Sequence, residues 1–417
     1  MGALGLPYLV DSSALGQNGG VAASERIVMG CLGVGSQGTG NMRAFLEKNQ
    51  AQVVAVCDVD RSHRDWAKRT VDETYGNADC RTYSDFREMI ARADIDALSL
   101  AVPDHWHAIP VVLGAEAGKD MFGEKPLART IHEAKVMRDT VNRYGRIWQT
   151  GSWQRSVASF RHAAELVRNG RIGKVHRVEV GLPTGGRSSV RPVSEPPQSL
   201  DYDFWLGPAP WHPYIAFGRR GVHWDWRWIM DYSGGQLTDW AGHHVDIAHW
   251  GLGLDESGPV EIEGKGVYPK DGIYNAPTAY KFTCKYADGL TMIVANNRQV
   301  PKGMGTAWYG EKGWIHVNRG GEATDPPELW NEVIGPNEIH LYESRDHAQN
   351  FLDCVKSRQK TVAPIEVACR SISVALLGEI AMLLERKVRW DPVKEDFVND
   401  PEASRLLSRA MRAPWHL

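Results

Sequence analysis

The sequence predicts two joined folds: a doubly wound α/β domain with a parallel sheet, then an α+β domain with a mostly antiparallel, open-faced sheet. Three observations predict this. The stretch CLGVGSQGTGNM, residues 31 to 42, places four glycines where an apolar strand-like run gives way to a helix-like one. From there to about residue 150, strand-like and helix-like segments alternate, the pattern of a parallel sheet covered by helices. Beyond it, strands follow one another across Asp-Gly and Lys-Gly turns, the pattern of antiparallel hairpins. A chain of 417 residues is also too long for one ordinary core.

Residues 1 to 25 read as a flexible extension. An apolar stretch followed by small residues such as SSALG resembles the tail of a twin-arginine export signal whose basic front has been removed. It is too short, and too broken by Gly and Pro, to span a bilayer. A periplasmic or exported protein and a cytoplasmic one with a disordered extension both fit. Residues 26 to 150 form the first domain. RIVMGCLG reads as a buried strand, RAFLEKN as a helix, AQVVAVCDVD as the next strand and SHRDWAKRTVDETYG as the next helix. YSDFREMIARAD, DALSLAVP, AIPVVLGAEAG and DMFGEKPLA continue the alternation, and TIHEAKVMRDTVNRYG with RIWQTGS closes it.

In GVGSQG, the glycines Gly33, Gly35 and Gly38 have the spacing of a dinucleotide fingerprint, the mark of a Rossmann domain. Such glycines permit a tight turn, close approach of a pyrophosphate and close helix-to-strand packing. Ser36 and Gln37 then open a helix whose free N–H groups face the phosphates. Asp58 ends the second strand, twenty residues beyond Gly38, where a carboxylate accepts hydrogen bonds from the adenosine ribose. It also repels a 2′-phosphate, favouring NAD, while Arg61 and Arg64 keep NADP open.

Residues 151 to 417 form the second domain. KVHRVEVGLP, TAYKFTCKYADGLTMIVANN and GTAWYGEKGWIHVN supply its strands. Residues 182 to 228, rich in Pro and Trp and too irregular for regular structure, read as an ordered insertion over the site. The segment from HAQNFLDCVKS through LLERKVRWDP reads as two apolar-faced helices that pack back on the first domain. With 48 basic and 51 acidic residues and no dense basic run, nucleic acid and membrane are not expected partners. The six cysteines show no CxxC pattern and read as free, mostly buried thiols.

The fingerprint GVGSQG, the strand end AVPDHWH, the tripeptide EKP at Glu124 to Pro126 and GGQLTDWAGHHVDIAHW occur in one order. From about residue 26 to 415 the chain resembles the family named for glucose–fructose oxidoreductase and inositol dehydrogenase (Gfo/Idh/MocA). The resemblance implies an NAD(P)-dependent enzyme oxidising a sugar, glycoside or cyclitol hydroxyl, acting as a homo-oligomer (dimer or tetramer) paired through the open face of the second sheet. It implies cofactor contacts from Pro103, His107, Glu124 and Lys125, with capping of the next helix as the alternative role of His107, and catalysis by Lys125 with a histidine matched here by His243. Asp239 lies four residues before His243, so a helix stacks both on one face and the carboxylate can orient the imidazole. Imidazole suits removal of a hydroxyl proton near neutral pH, and Lys125 sets a positive charge beside the developing alkoxide. Asp246 also follows the family pattern.

Among the 16 tryptophans, Trp224 and Trp226 in HWDWRW, with Arg155, Asp239 and His243, are the expected substrate contacts, because sugars pack their C–H faces on aromatic rings. The alternative is that Trp205, Trp211, Trp224, Trp226 and Trp228 only pack the insertion. Trp153 stands where the family often has an amide side chain. Asp239, His243 and His249 have a ligand-like spacing, but no metal motif surrounds them and none is expected. Two other functions compete. One is an NAD-dependent glycosidase that oxidises transiently and eliminates the aglycone, with a second base from His212, Tyr214 or His223. The other is a non-catalytic sugar-binding relative, against which Lys125, Asp239 and His243 argue.

Overall fold

The computed structural model describes residues 21–417 apart from 216 and 218–220. The apolar stretch read as an export-signal remnant lies outside the described residues.

Strands β1 (Ile27–Leu32), β2 (Ala51–Cys57), β3 (Arg81–Tyr83), β4 (Ala97–Leu100), β5 (Asp120–Gly123) and β6 (Trp148–Thr150) form a sheet in the order β3-β2-β1-β4-β5-β6. Every pairing in it is parallel. Helices α1 (Ser36–Leu46), α2 (Arg61–Tyr75), α3 (Phe86–Ile90), α4 (Ala108–Glu116) and α5 (Ile131–Arg143) make the crossovers. Their ends follow local chemistry. The Asp60 side chain accepts from Ser62 N to open α2, Gly76 in the left-handed region closes it, and Thr130 and Glu133 form a reciprocal capping box on α5.

After α6 (Ala158–Arg168), the strand β7 (Val175–Leu182) leads into the insertion, which is less irregular than its composition predicts. It holds two short helices, α7 (Tyr202–Leu206) and α8 (Val222–Asp225), and a 3-10 turn at Trp226–Trp228. Leu200, Trp205, Leu206, Val222, Trp226 and Tyr232 give this region an apolar core of its own.

The long helix α9 (Gly235–Leu252) follows, buried on almost every side. Then come β8 (Glu261–Val267), β9 (Ala279–Lys285), β10 (Thr291–Asn296), β11 (Gly305–Gly310), β12 (Trp314–Asn318) and β13 (Gly321–Asp325). With β7, β14 (Val388–Asp391) and β15 (Asp396–Phe397) they make a nine-stranded sheet. It is antiparallel except where β10 pairs with β7.

The last helices, α10 (His347–Ser357), α11 (Ile365–Leu383) and the short α12 (Pro401–Arg405), return toward the first sheet. Phe351 of α10 packs edge-on against Phe45 and Phe122. α11 lies between α5 and α9, and one apolar cluster runs from β4 and α4 through both helices to β9. The catalytic candidates on α9 are therefore set into the packed interior. All six cysteines are free and buried.

Candidate active site

A cleft opens at the carboxyl edge of the parallel sheet, between β1 and β4 where strand order reverses, the place at which open α/β sheets bind ligands. Its lining brings together Gly33, Gly35, Ser36, Gln37, Gly38, Asp58, Pro103, Glu124, Lys125 and Asp239, with His223, Trp226 and Arg227 from the insertion. The glycines divide by role. Gly33 holds φ 74°, and a Cβ there would stand 2.6 Å from the Ala101 carbonyl oxygen. A Cβ on Gly38 would stand 1.7 Å from the Gly33 oxygen. These two are dictated by packing. At Gly35 the nearest neighbour of a Cβ is His63 at 3.5 Å, so that glycine leaves room in the cleft. Gly35 caps α1 without a side chain, leaving the first-turn N–H groups for an anion. Asp58 is fixed beside them: its Oδ2 accepts from Val34 N at 2.9 Å and its Oδ1 from Asp60 N at 2.9 Å. A floor without side chains, an uncapped helix start and a carboxylate at the end of β2 fit a dinucleotide.

Glu124 braces this floor. Its Oε1 accepts from Gln37 Nε2 at 3.0 Å and Asn41 Nδ2 at 2.9 Å, tying α1 to the loop after β5. His107 acts from behind. Its ring is buried and bridges the Pro126 carbonyl at 2.8 Å and the Val102 carbonyl at 2.9 Å. His107, expected at the cofactor, thus holds the loop carrying Lys125 with its side chain and lies off the cleft lining.

At the other end of the cleft, Lys125 Nζ donates to Asp239 Oδ1 at 2.7 Å. Helix α9 comes this close because Gly242 has no side chain; a Cβ there would touch the Lys125 Cβ at 3.0 Å. Burial alone would raise the Asp239 carboxyl, but Lys125, Arg227 and Arg319 outweigh it and hold it below its ordinary range. His243 is one turn on along the same helix, buried and, like Arg319, off the cleft lining, and its Nδ1 has no hydrogen-bond partner among the described residues. Asp239 therefore does not orient His243 as the spacing predicts, because the carboxylate turns to the lysine. Burial first, then Lys125 and Arg319, push the His243 imidazole well below 6.5, so it is neutral near pH 7.

Beside His243 stands a wall that the sequence reading missed. Arg319, in the turn between β12 and β13, lies over the rings of Trp153 and Trp240 at 4.4 and 4.5 Å. The Trp153 and Trp240 rings are 6.4 and 5.5 Å from the His243 ring. The hairpin tip NRGG carries no motif; only Trp153 drew notice.

Arg155, expected at the substrate, is corrected. It is buried, with Nε on Asp246 at 2.8 Å, an NH2 group on Asp255 at 2.7 Å and its plane 4.9 Å from the Trp250 ring. It ties the start of α6 to α9, and Asp246 is its counterion. Of the two expected tryptophans, Trp226 lines the cleft while also entering the insertion's core, and Trp224 stacks under Arg227 at 4.4 Å outside the lining. Trp205, like Trp226, belongs to that core and also reaches the cleft lining, and Trp211 is 62% exposed. Among the second-base candidates, His212 pairs with Asp231 and Tyr214 packs on Tyr202, both off the lining; His223 bonds Asp60 at 2.9 Å at the glycine-loop end, away from Lys125. His249 bonds the Tyr286 hydroxyl at 2.8 Å and does not join Asp239 and His243 in a ligand set.

Residues 27–152 match the profile described as the oxidoreductase-family NAD-binding Rossmann fold, and residues 165–417 match that family's C-terminal alpha/beta domain. The chain belongs to the Gfo/Idh/MocA oxidoreductase family. An uncharacterized oxidoreductase, YrbE, of Bacillus subtilis is 24% identical over 72% of this chain and 74% of its own length. The 2,7-anhydro-N-acetylneuraminate hydratase of Mediterraneibacter gnavus is 31% identical, over 34% of this chain and about a third (36%) of the hydratase. Among solved structures, a levoglucosan dehydrogenase with NADH and levoglucosan superposes with a TM-score of 0.63 at 17% identity, over 87% of this chain and 99% of that one. The WlbA dehydrogenase of Bordetella pertussis, with NADH and UDP-GlcNAcA, gives 0.62 at 18% identity, over 88% and 99%. The family's fold and NAD-binding domain are thus those of this protein. No helix among the described residues is long and apolar enough to cross a membrane.

Proposed function

We propose that this Gfo/Idh/MocA protein transfers a hydride between NAD and a hydroxyl-bearing carbon of a sugar, glycoside or cyclitol. The observation that carries this reading is the Lys125–Asp239 contact of 2.7 Å on the lining of the cofactor cleft. Bound nicotinamide supplies the hydride acceptor. Asp239, kept ionised, holds the Lys125 side chain at the cleft, where its Nζ hydrogen-bonds the reacting hydroxyl and stabilises the negative charge that grows on that oxygen. His243, neutral, is the proton acceptor. The Trp153–Arg319–Trp240 wall gives one face of a ring substrate an aromatic surface and its hydroxyls a cationic donor.

Asp58 selects NAD, since a 2′-phosphate would meet its carboxylate. Arg64, which could compensate, donates instead to the Asp58 carbonyl at 2.6 Å. The insertion supports retention of the cofactor. It is stitched to the loop after β2 by Asp201 N to the Val59 oxygen at 3.1 Å and Arg61 N to the Ser199 oxygen at 2.8 Å. An enzyme that keeps its NAD needs a second, carbonyl-bearing substrate to take the hydride back from NADH in place, an arrangement that suits an exported protein, and pairing of the second sheet with another copy belongs to the same reading.

The test is product analysis. Purified protein, NAD and a panel of glycosides should yield NADH by absorbance and, in equal amount, a ketosugar by mass spectrometry. Release of the aglycone without net redox change would replace the dehydrogenase with the glycosidase, and no turnover of any sugar would defeat both.

A further inference from the structure

Between the start of α2 and α8, at the rim of the cleft beside Asp58, stands a second group of side chains that the hydride chemistry does not use; its two histidines, His63 and His223, line the cleft. Asp60, His63 and His223 each offer one ligand atom, and the three atoms lie within 4.8 Å of one another. We propose that these residues form a divalent-metal clip, fitted to Zn2+, that fastens the insertion to the cofactor domain.

Asp60 and His63 occupy the cap and third positions of α2, the two sites of a first helical turn that face each other. His223 arrives from α8, 163 residues away, and its Nε2 stands 2.9 Å from Asp60 Oδ2. The other Asp60 oxygen accepts from Ser62 N at 2.8 Å, so the carboxylate already points its free oxygen at the insertion. The His63 and His223 rings are 4.3 Å apart. His63 Nδ1 is buried and has no hydrogen-bond partner; Asp58 Oδ2 is 3.5 Å away, long for such a bond.

Two imidazoles and a carboxylate are a common zinc donor set with one position open, and zinc bonds of about 2.0–2.2 Å bring tetrahedral ligands roughly 3.3 Å apart. The Asp60–His223 pair, hydrogen-bonded at 2.9 Å, has to open by a few tenths of an ångström and give up its shared proton to reach that spacing, and His63, within 4.8 Å of both, needs a side-chain rotation. The positive end of α2 opposes a cation, but Asp58 and Asp60 together supply the two negative charges that balance one. The backbone on both sides is held in register before any metal arrives, by the Asp60–Leu200 bridge and the two hydrogen bonds beside it, so little ordering is left for the metal to impose. The effect on cofactor release rests on the proposed retention of NAD, because the clip would close the cleft beside Asp58; binding of the metal does not.

The experiment uses the full chain, stripped with a chelator and dialysed against ZnCl2 alone. Metal per protein is read by mass spectrometry in wild type, His63→Ala and His223→Ala. Both histidines are partly exposed, at 28% and 33%, so the variants should fold, which circular dichroism checks. The expected result is one zinc per chain at micromolar metal, weakened at least tenfold (about 10-fold or more) in each variant, with NADH release from wild type slowed several-fold by zinc and unchanged by it in the variants. No stoichiometric zinc, zinc that survives both substitutions, or bound zinc that leaves release unaltered would overturn the clip. Failure of any dinucleotide to bind would count against the proposed function, while zinc stoichiometry would still decide the site.

Discussion

At the glycine-loop end of the cleft the binding surface is mostly backbone: an uncapped helix start, glycines fixed by clashes of 1.7 and 2.6 Å, and one carboxylate held by two main-chain N–H groups. At the proposed catalytic end it is mostly side chain: Lys125 from the loop after β5, Asp239 from α9 and Arg227 from the insertion line the cleft, and His243 of α9 and Arg319 of a hairpin tip stand behind that lining. A surface built from one continuous β–turn–α segment is set by local sequence, whereas one assembled from four segments depends on how the whole body closes. Damage to the first end should appear in cofactor affinity, and damage to the second in turnover.

The largest effect should come from Lys125→Ala. Loss of the charge beside the reacting oxygen should lower kcat by about a hundredfold or more, with NAD affinity little changed. It also strands Asp239 as a buried carboxylate without its partner, so a lower Tm is expected too. Stopped-flow kinetics with a cognate sugar, beside a thermal melt, separates the two effects; near-normal turnover would remove Lys125 from the mechanism. His243→Ala should also cost about a hundredfold in kcat; its buried ring leaves a cavity, so a lower Tm is expected there as well.

Next comes Gly38→Ala. The added methyl meets a backbone oxygen that cannot step aside, so overpacking should destabilise the domain by about 1–3 kcal/mol and disturb the phosphate floor. Gly40→Ala is its control: nothing lies within 4 Å of that position, and alanine in an exposed helix turn should stabilise by about 0.5–1 kcal/mol. If calorimetry found the two variants equal, the division of glycines by role would be wrong.

Asp58→Ala should act more mildly and on binding alone. NAD should weaken by about tenfold, the worth of a charged hydrogen-bonding group, and NADP less, narrowing the preference between them. Equal losses for both cofactors in a titration would contradict the role given to Asp58.

The same contrast explains what could be read from the sequence. Gly33, Gly35, Gly38 and Asp58 were legible because their spacing is imposed within one β–α–β unit, and the hairpins of the second sheet because Asp-Gly and Lys-Gly turns are local. Lys125 and Asp239 were legible as residues but not as a pair. They are 114 residues apart, and the helical spacing pointed instead to Asp239 with His243. Arg155 stood in a promising place in the chain, yet Asp246 and Asp255, about a hundred residues on, take up its charge. Arg319 had no local signal at all, since only the closing of β12 and β13 brings it over Trp153 and Trp240. The insertion looked irregular because its order comes from its own tryptophan core and its seam with the loop after β2, neither of which has a period.

Arg319→Met should give the smallest effect and the sharpest test of the catalytic end. The side chain is exposed enough to be replaced without upsetting the fold, and methionine keeps its contact with the two rings. Losing one donor to the substrate should raise KM for the sugar by roughly three- to tenfold, about the worth of one hydrogen bond, while kcat at high pH stays near wild type. The pH profile carries the second readout. His243 must be deprotonated to accept a proton, and burial together with Lys125 and Arg319 holds its pKa below 6.5. The acid limb of kcat in the wild type therefore lies below pH 6.5, and removing the Arg319 charge should move it upward, toward that value. A variant with raised KM but an unmoved acid limb would keep Arg319 as a substrate contact and separate it from His243. A limb that moved downward would mean that the group titrating there is not a base surrounded by cations.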